Sequence, residues 1–148
     1  MVYKKNFDFN TEDYKTLSKS QLKKMCDYWV RRYLLSKAKK NGRNEIKCPL
    51  KNKYYKKEKI NVSHFIDRAC MNTRYDLNNI FLISEDSNVW DAKIQVEGYK
   101  SLHHKEYEEW LREKLGKKEF DNLLVKSKNI RIFADQDYIE LIKKFRNV

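Results

Sequence analysis

Glycine and proline are nearly absent from this chain: three glycines (Gly42, Gly98, Gly116) and one proline (Pro49) in 148 residues. So few breakers exclude long flexible linkers and favour helices joined by short connections. No 18-residue apolar run occurs, so no transmembrane helix is expected. The opening MVYKKNFDFN lacks the apolar stretch of a signal peptide. The three cysteines (Cys26, Cys48, Cys70) are odd in number and never spaced as CxxC, which argues against a disulfide scaffold and for a reduced, cytoplasmic protein. Acidic residues are scarce as well, 21 against 33 basic, leaving a net charge of +12. That surplus suits a polyanion, with nucleic acid the first candidate. General solubility of a lysine-rich chain is the plain alternative. An anionic membrane surface fits less well, because no stretch pairs a basic face with a strongly apolar one.

What is present is enough for one domain with a modest core: 41% hydrophobic residues, 14% of the chain aromatic. Residues 1–17 show no period and read as an N-terminal arm lying on the body. In residues 18–41, Leu22, Met25, Cys26, Trp29 and Tyr33 share one face of a basic amphipathic helix, with Ser18 or Ser20 as N-cap and Gly42 as end signal. Lys23, Lys24, Arg31 and Lys37 fall on its other side. The runs EIKCPL (45–50) and KINVSHF (59–65) read as the two arms of a β-hairpin with a basic tip. Pro49 demotes the first to an edge strand. The tip carries Lys51, Lys53, Tyr54, Tyr55, Lys56 and Lys57; these lysines either keep an edge from aggregating or reach phosphates. IFLI (80–83) reads as a short buried strand or the lead into a helix. Ser84 stands as N-cap of a following helix, with Glu85 and Asp86 in its first turn. Residues 103–148 read as helices, with Tyr107, Trp110, Leu111 and Leu115 on one face, Phe120, Leu123 and Leu124 on the next, and Tyr138, Leu141, Ile142 and Phe145 on the last, which Asp135 caps.

One stretch carries chemistry: SHFIDRACMNTRYDLNNIFLISEDSNVW, residues 63–90. Strand, histidine, polar loop, asparagine, strand, helix, asparagine is the order of a ββα-metal (His-Me finger or HNH) nuclease. Phosphodiester hydrolysis needs a base to deprotonate water and a cation at the scissile phosphate. His64 stands where the base would be, Asn79 where the loop is pinned and the imidazole oriented, and Asn88 where the helix offers a metal ligand. The spacings, 15 and 9 residues, suit a hairpin followed by a helix. The fold class expected is therefore α+β, a ββα-metal core (45–95) in a mainly helical single domain of residues 1–148.

The helix SQLKKMCDYWVRRYLLSKAKKNG, the stretch HFIDRACMNTRYDLNN and the segment YEEWLREKLGKKEFDNLL together resemble the NinG/Rap family of phage recombination endonucleases, which act on branched DNA. The resemblance covers most of residues 18–126 in order, and His64 to Asn79 is its specific part. It implies that His64 is the catalytic histidine, Asn79 the central asparagine, and Asn88 a metal-ligand position. Arg68 and Arg74 match basic loop positions that hold phosphates, and Asp76 a frequently acidic one. It further implies Mg²⁺ or Mn²⁺ as cofactor, branched DNA as partner, a homodimer on a two-fold symmetric junction, and the host cell cytoplasm as location for a phage-encoded chain.

The chain departs from the family at two points. Two zinc-holding CxxC knuckles are expected there; here the first is Cys48 with Lys51, and the second is Ser84-Glu85-Asp86-Ser87. One thiolate cannot hold a structural zinc, so no zinc is expected, and packing by Ile80, Leu82, Val89 and Trp90 must take over. Many HNH enzymes also carry a ligating aspartate before the base, where this chain has Ser63. Asn88 with phosphate oxygens and Asp67, Asp76 or Asp91 would then hold the magnesium. The competing reading is a nuclease fold that binds branched DNA without cutting it. A third is an interaction protein whose basic surface contacts an acidic protein.

Overall fold

The computed structural model describes residues 7–87 and 102–147. In chain order these form α1 (Lys19–Lys37), β1 (Ile46–Cys48), β2 (Lys53–Tyr55), β3 (Ile60–His64), α2 (Met71–Arg74), β4 (Ile80–Ser84), α3 (Leu102–Leu115), α4 (Lys117–Ser127) and α5 (Asp135–Arg146). The chain is mixed α+β, with two small antiparallel sheets among the described residues, β1–β2 and β3–β4. It divides into two compact units, one of residues 1–33 with 133–148, the other of residues 34–132. No helix among the described residues is long and apolar enough to cross a membrane.

In the first unit, α1 opens with a reciprocal cap. The Ser18 N–H donates to Gln21 Oε1 at 2.9 Å and the Gln21 N–H to Ser18 Oγ at 3.2 Å, so two orphan donors are satisfied. Leu22, Met25, Cys26 and Val30 form its buried stripe. Trp29 lies at the margin, its Nε1–H donating to the Phe9 carbonyl at 3.0 Å and the Arg146 guanidinium lying 5.0 Å from its ring centroid. Residues of the expected arm are tied down: Phe9 stacks on Tyr28 at 4.4 Å, and Arg146 donates to the carbonyls of Asn10 and Thr11 and to the Tyr14 hydroxyl. On α5, Tyr138, Ile142 and Phe145 are buried, and the Cys26 thiol donates to the Tyr138 carbonyl at 3.3 Å. Asp137, not the expected Asp135, closes the N-terminus of α5 by accepting from the Ala134 N–H at 2.8 Å. The expected span of α1 to residue 41 is also corrected. The helix stops at Lys37, and Lys40 folds back to donate from Nζ to the exposed Leu35 carbonyl at 3.0 Å, a lysine end cap that stands in for Gly42.

The second unit corrects the strand pairing. Residues 45–50 and 59–65 do not pair with each other. β1 pairs instead with β2, inside the expected basic tip, in the register Ile46↔Tyr55, Lys47↔Tyr54, Cys48↔Lys53. β3 pairs with β4 from Ile60↔Ser84 to His64↔Ile80. The local choice follows from turn chemistry. Pro49, without an N–H, stops β1 at Cys48, and Asn52, at φ 52°, closes a tight turn with its N–H on the Cys48 carbonyl at 2.9 Å. β3 then takes the more apolar partner, Ile-Phe-Leu-Ile, whose Ile80 and Ile83 are buried.

The core of this unit is Cys48, Phe65, Ile83, Tyr107, Leu111, Phe120 and Leu123. α3 and α4 supply the last four, on the faces expected from their period. Between them Gly116 takes φ 79° with its N–H on the Arg112 carbonyl at 2.9 Å, the left-handed stop that glycine adopts without penalty. Phe65, the residue after His64, lies 5.3 Å from the Tyr107 ring and 5.7 Å from the Phe120 ring. Replacing Phe120, which is fully buried, with alanine is expected to cost about 3–5 kcal/mol of unfolding free energy. Val125→Ala on the same helix, where the side chain is 61% exposed, should stay within about 0.5 kcal/mol. Urea unfolding of the two variants checks the contrast.

Candidate active site

His64 is the last residue of β3, paired to Ile80 on β4 and fixed from behind by the buried Phe65. Its ring is half-buried, and Nε2 lies 3.0 Å from the Arg74 carbonyl. A carbonyl only accepts, so Nε2 carries the hydrogen in that bond. In the neutral ring the basic lone pair is then on Nδ1.

The carbonyl that fixes this tautomer belongs to the loop between the strands, and Asn79 holds that loop. Its fully buried amide takes the Ile66 N–H at 2.7 Å and gives its own hydrogens to the Ile66 carbonyl at 3.1 Å and the Thr73 carbonyl at 3.0 Å. Its backbone carbonyl accepts from the Phe65 N–H at 3.0 Å. One residue thus bridges the chain just after His64 and the chain just before the Arg74 carbonyl. The far side of the loop rests on the end of α4. Asn72 Nδ2 donates to the Lys126 carbonyl at 2.8 Å, the Cys70 thiol to the Ser127 carbonyl at 3.4 Å, and Lys126 pairs with Asp76 at 2.8 Å. Loop donors thus add to the bonding of the helix-end carbonyls; that of Lys126 also accepts from the Asn129 N–H at 3.3 Å. Asn72 and Lys126 escaped the sequence reading because their partners lie some fifty residues away and no local pattern marks them.

Several expected site residues are placed differently. Arg74 is only 7% exposed, with Nε on the Tyr75 hydroxyl at 3.2 Å and a guanidinium N–H on the Arg68 carbonyl at 3.0 Å. It braces the loop from within and does not present a phosphate contact at the surface. Asp76 is engaged within the loop: Oδ1 accepts from the Asn78 N–H at 2.9 Å and Oδ2 pairs with Lys126. Asp67 is exposed, with Oδ1 closing a turn onto the Ala69 N–H at 2.7 Å. Arg68 is exposed beside it. Asn88, with Val89, Trp90 and Asp91, lies outside the described residues. Among the described residues no three His, Cys, Asp or Glu gather as a metal-binding group. A magnesium site does not need three, since that ion keeps several waters and takes one or two carboxylates along with phosphate oxygens.

Three of the four positions that the resemblance aligns with zinc knuckles come together. Cys48, Ser84 and Ser87 are all fully buried. The Ser84 N–H donates to Cys48 Sγ at 3.3 Å and the Ser84 hydroxyl to the Ser87 hydroxyl at 3.2 Å. Lys51 is exposed on the β1–β2 turn. A small polar clasp joins the hairpin to the exit of β4.

On the hairpin, Lys51, Lys53, Lys56 and Lys57 are exposed and Tyr54 is 44% exposed. Tyr55, expected with Tyr54 to contact nucleic acid, is half-buried and packs against the core cluster, with Lys53 Nζ 5.6 Å from its ring centroid. Lys47, which the sequence reading passed over, stands directly opposite Tyr54 on the outward face. The alternation Ile-Lys-Cys was the available signal.

Asn79→Ala leaves the Ile66 N–H and carbonyl without their Asn79 partner, while the Thr73 carbonyl keeps the Asp76 N–H at 3.1 Å. At about 1–3 kcal/mol for a buried group so stranded, a loss near 3 kcal/mol is expected, with faster hydrogen exchange at the Ile66 amide. Unchanged stability and exchange would mean the loop is held by other contacts. A Lys51→Cys/Ser84→Cys/Ser87→Cys variant joins three new thiols to Cys48 and is expected to retain one zinc per chain after dialysis, where the wild type retains none; metal analysis of both proteins decides it.

No family model, curated protein or solved structure matches this chain.

Proposed function

We propose that the chain is a Mg²⁺- or Mn²⁺-dependent endonuclease for branched DNA, with β3, β4 and the helical segment beginning at residue 85 as its ββα-metal core. The observation that carries this reading is the state of His64: a strand-end imidazole held through Nε2 by a loop carbonyl, on a loop that Asn79 clasps. That arrangement suits a general base. Nδ1 would take a proton from water as the water oxygen bonds to phosphorus. The bond from phosphorus to the leaving oxygen breaks, and that oxygen takes a proton from solvent. A bound divalent cation would supply positive charge at the phosphate; Asn88 and Asp67 are the residues to hold it, together with phosphate oxygens. Arg68 and the hairpin lysines Lys51, Lys53, Lys56 and Lys57 fit contacts to the phosphate backbone, which position DNA without reading its sequence. The net charge of +12 supports the same partner. A two-fold symmetric junction calls for a homodimer, and recombination of phage DNA is the process that the resemblance implies.

The second reading is a branched-DNA-binding protein that has lost cleavage. It draws on Ser63 in front of the base and on the pairing of Asp76 with Lys126, which together leave few carboxylates for a metal. Incubation with four-way-junction, flap and linear DNA in Mg²⁺ or Mn²⁺ separates the two. Cleavage of branched substrates that His64→Ala abolishes, by a hundredfold or more, is the expected result. Salt-sensitive binding without cleavage supports the second reading, and cleavage by His64→Ala at the wild-type rate rejects the mechanism.

A further inference from the structure

The hairpin β1–β2 separates its two tyrosines. Tyr55 faces the core cluster, while Tyr54 faces outward, paired across the ladder with Lys47. The twelve residues from Ile46 to Lys57 hold five lysines and no carboxylate. A tyrosine held in a paired strand loses little rotational freedom when a flat ring settles on it, and a lysine directly across the ladder places a cation beside that ring. Bases have flat π-faces and phosphates a regular charge, so a nucleotide matches both elements. An acidic peptide would match the lysines and leave the exposed ring without a flat partner.

We propose that Tyr54 stacks on a single unpaired base of DNA while Lys47 and the neighbouring hairpin lysines contact the flanking phosphates. Only one ring of the pair is presented, so the platform serves one displaced nucleotide and not a long single strand. In a duplex every base is covered by its neighbours; at a bulge, a flap or an opened branch point an unpaired base is available. The hairpin would thus be the element that distinguishes branched from continuous DNA. This inference rests on the reading of branched DNA as the substrate, and it names the feature of that substrate which is read.

The test uses the full chain in EDTA, so that binding is measured apart from cleavage. The probes are a fully paired duplex and the same duplex carrying one unpaired 2-aminopurine, whose fluorescence falls on stacking with an aromatic ring. Wild type and Tyr54→Phe are expected to quench the unpaired probe. Tyr54→Ala should not, and should bind it about tenfold more weakly while its affinity for the paired duplex changes less than twofold. Lys47→Gln should lower the slope of log affinity against log salt by about 1. Quenching by Tyr54→Ala equal to wild type overturns the proposal, as does an equal loss of affinity for both DNAs. A wild-type protein that binds neither DNA overturns this proposal and the branched-DNA reading together. Wild-type cleavage of branched DNA alongside unchanged quenching by Tyr54→Ala overturns this proposal alone.

Discussion

The buried amide of Asn79 is the tie on which the candidate site depends. The loop from Ile66 to Asn78 has only the four-residue α2 as regular structure, and of its apolar side chains only Tyr75 is buried. A segment of that kind contributes little apolar burial against its ordering entropy. Asn79 offsets part of that cost with three side-chain hydrogen bonds, made in a fully buried setting where each bond is stronger and each lost partner more expensive. Its partners are the start of the loop at Ile66 and α2 at Thr73, so the Arg74 carbonyl is held at the distance His64 needs. An aspartate of the same shape could accept from Ile66 but could not donate to the two carbonyls. The chemistry of the amide, a donor and an acceptor on one rigid group, is what the position demands.

Around that tie the loop is braced at three further points, and each uses a residue that composition alone would assign to solvent or to ligand binding. Arg74 turns inward to the Arg68 carbonyl, Asp76 takes Lys126, and Asn72 covers the end of α4. The exposed Asp76–Lys126 pair adds little stability by itself. Together with Asn72 and Cys70, however, it links the loop to a helix whose Phe120 packs against Phe65, the residue next to His64. The imidazole is therefore positioned from two sides of the same core.

Elements with strong local signals were legible from the sequence: a serine N-cap on α1 at Ser18 or Ser20, the stripe Leu22–Met25–Cys26, the apolar faces of α3 and α4, and the apolar run that became β4. Strand partners were not legible, because EIKCPL and KINVSHF are equally β-prone and pairing depends on turns and burial rather than on propensity. The hidden fact was that Lys-Tyr-Tyr could itself be a strand once Asn52 adopted a left-handed turn. Within the site, His64 and Asn79 were marked by residue type and order. The inward turns of Arg74 and Tyr55 were not, because a charged or amphipathic side chain next to an apolar stretch carries no sign of which way it points.

The clasp of Cys48, Ser84 and Ser87 bears on how such a half-domain holds together. A structural zinc contributes about 10–16 kcal/mol to folding, whereas one thiol contact and one hydroxyl pair are each worth about 1 kcal/mol. Hydrogen bonds at this place cannot by themselves do what a metal would. Cys48, though, belongs to the apolar cluster with Phe65, Ile83, Tyr107, Leu111, Phe120 and Leu123. Burying large aromatic and aliphatic side chains stabilises by about 1.5–3 kcal/mol each, so the four contributed by α3 and α4 supply energy on the scale of a metal clip. The role of α3 and α4 is then structural in a specific sense: they clamp the hairpin and the β3–β4 pair from one side, and the clasp sets the register in which they are clamped. The polar groups choose the geometry, the apolar ones stabilise it, and His64 stands at the end of a strand held by both.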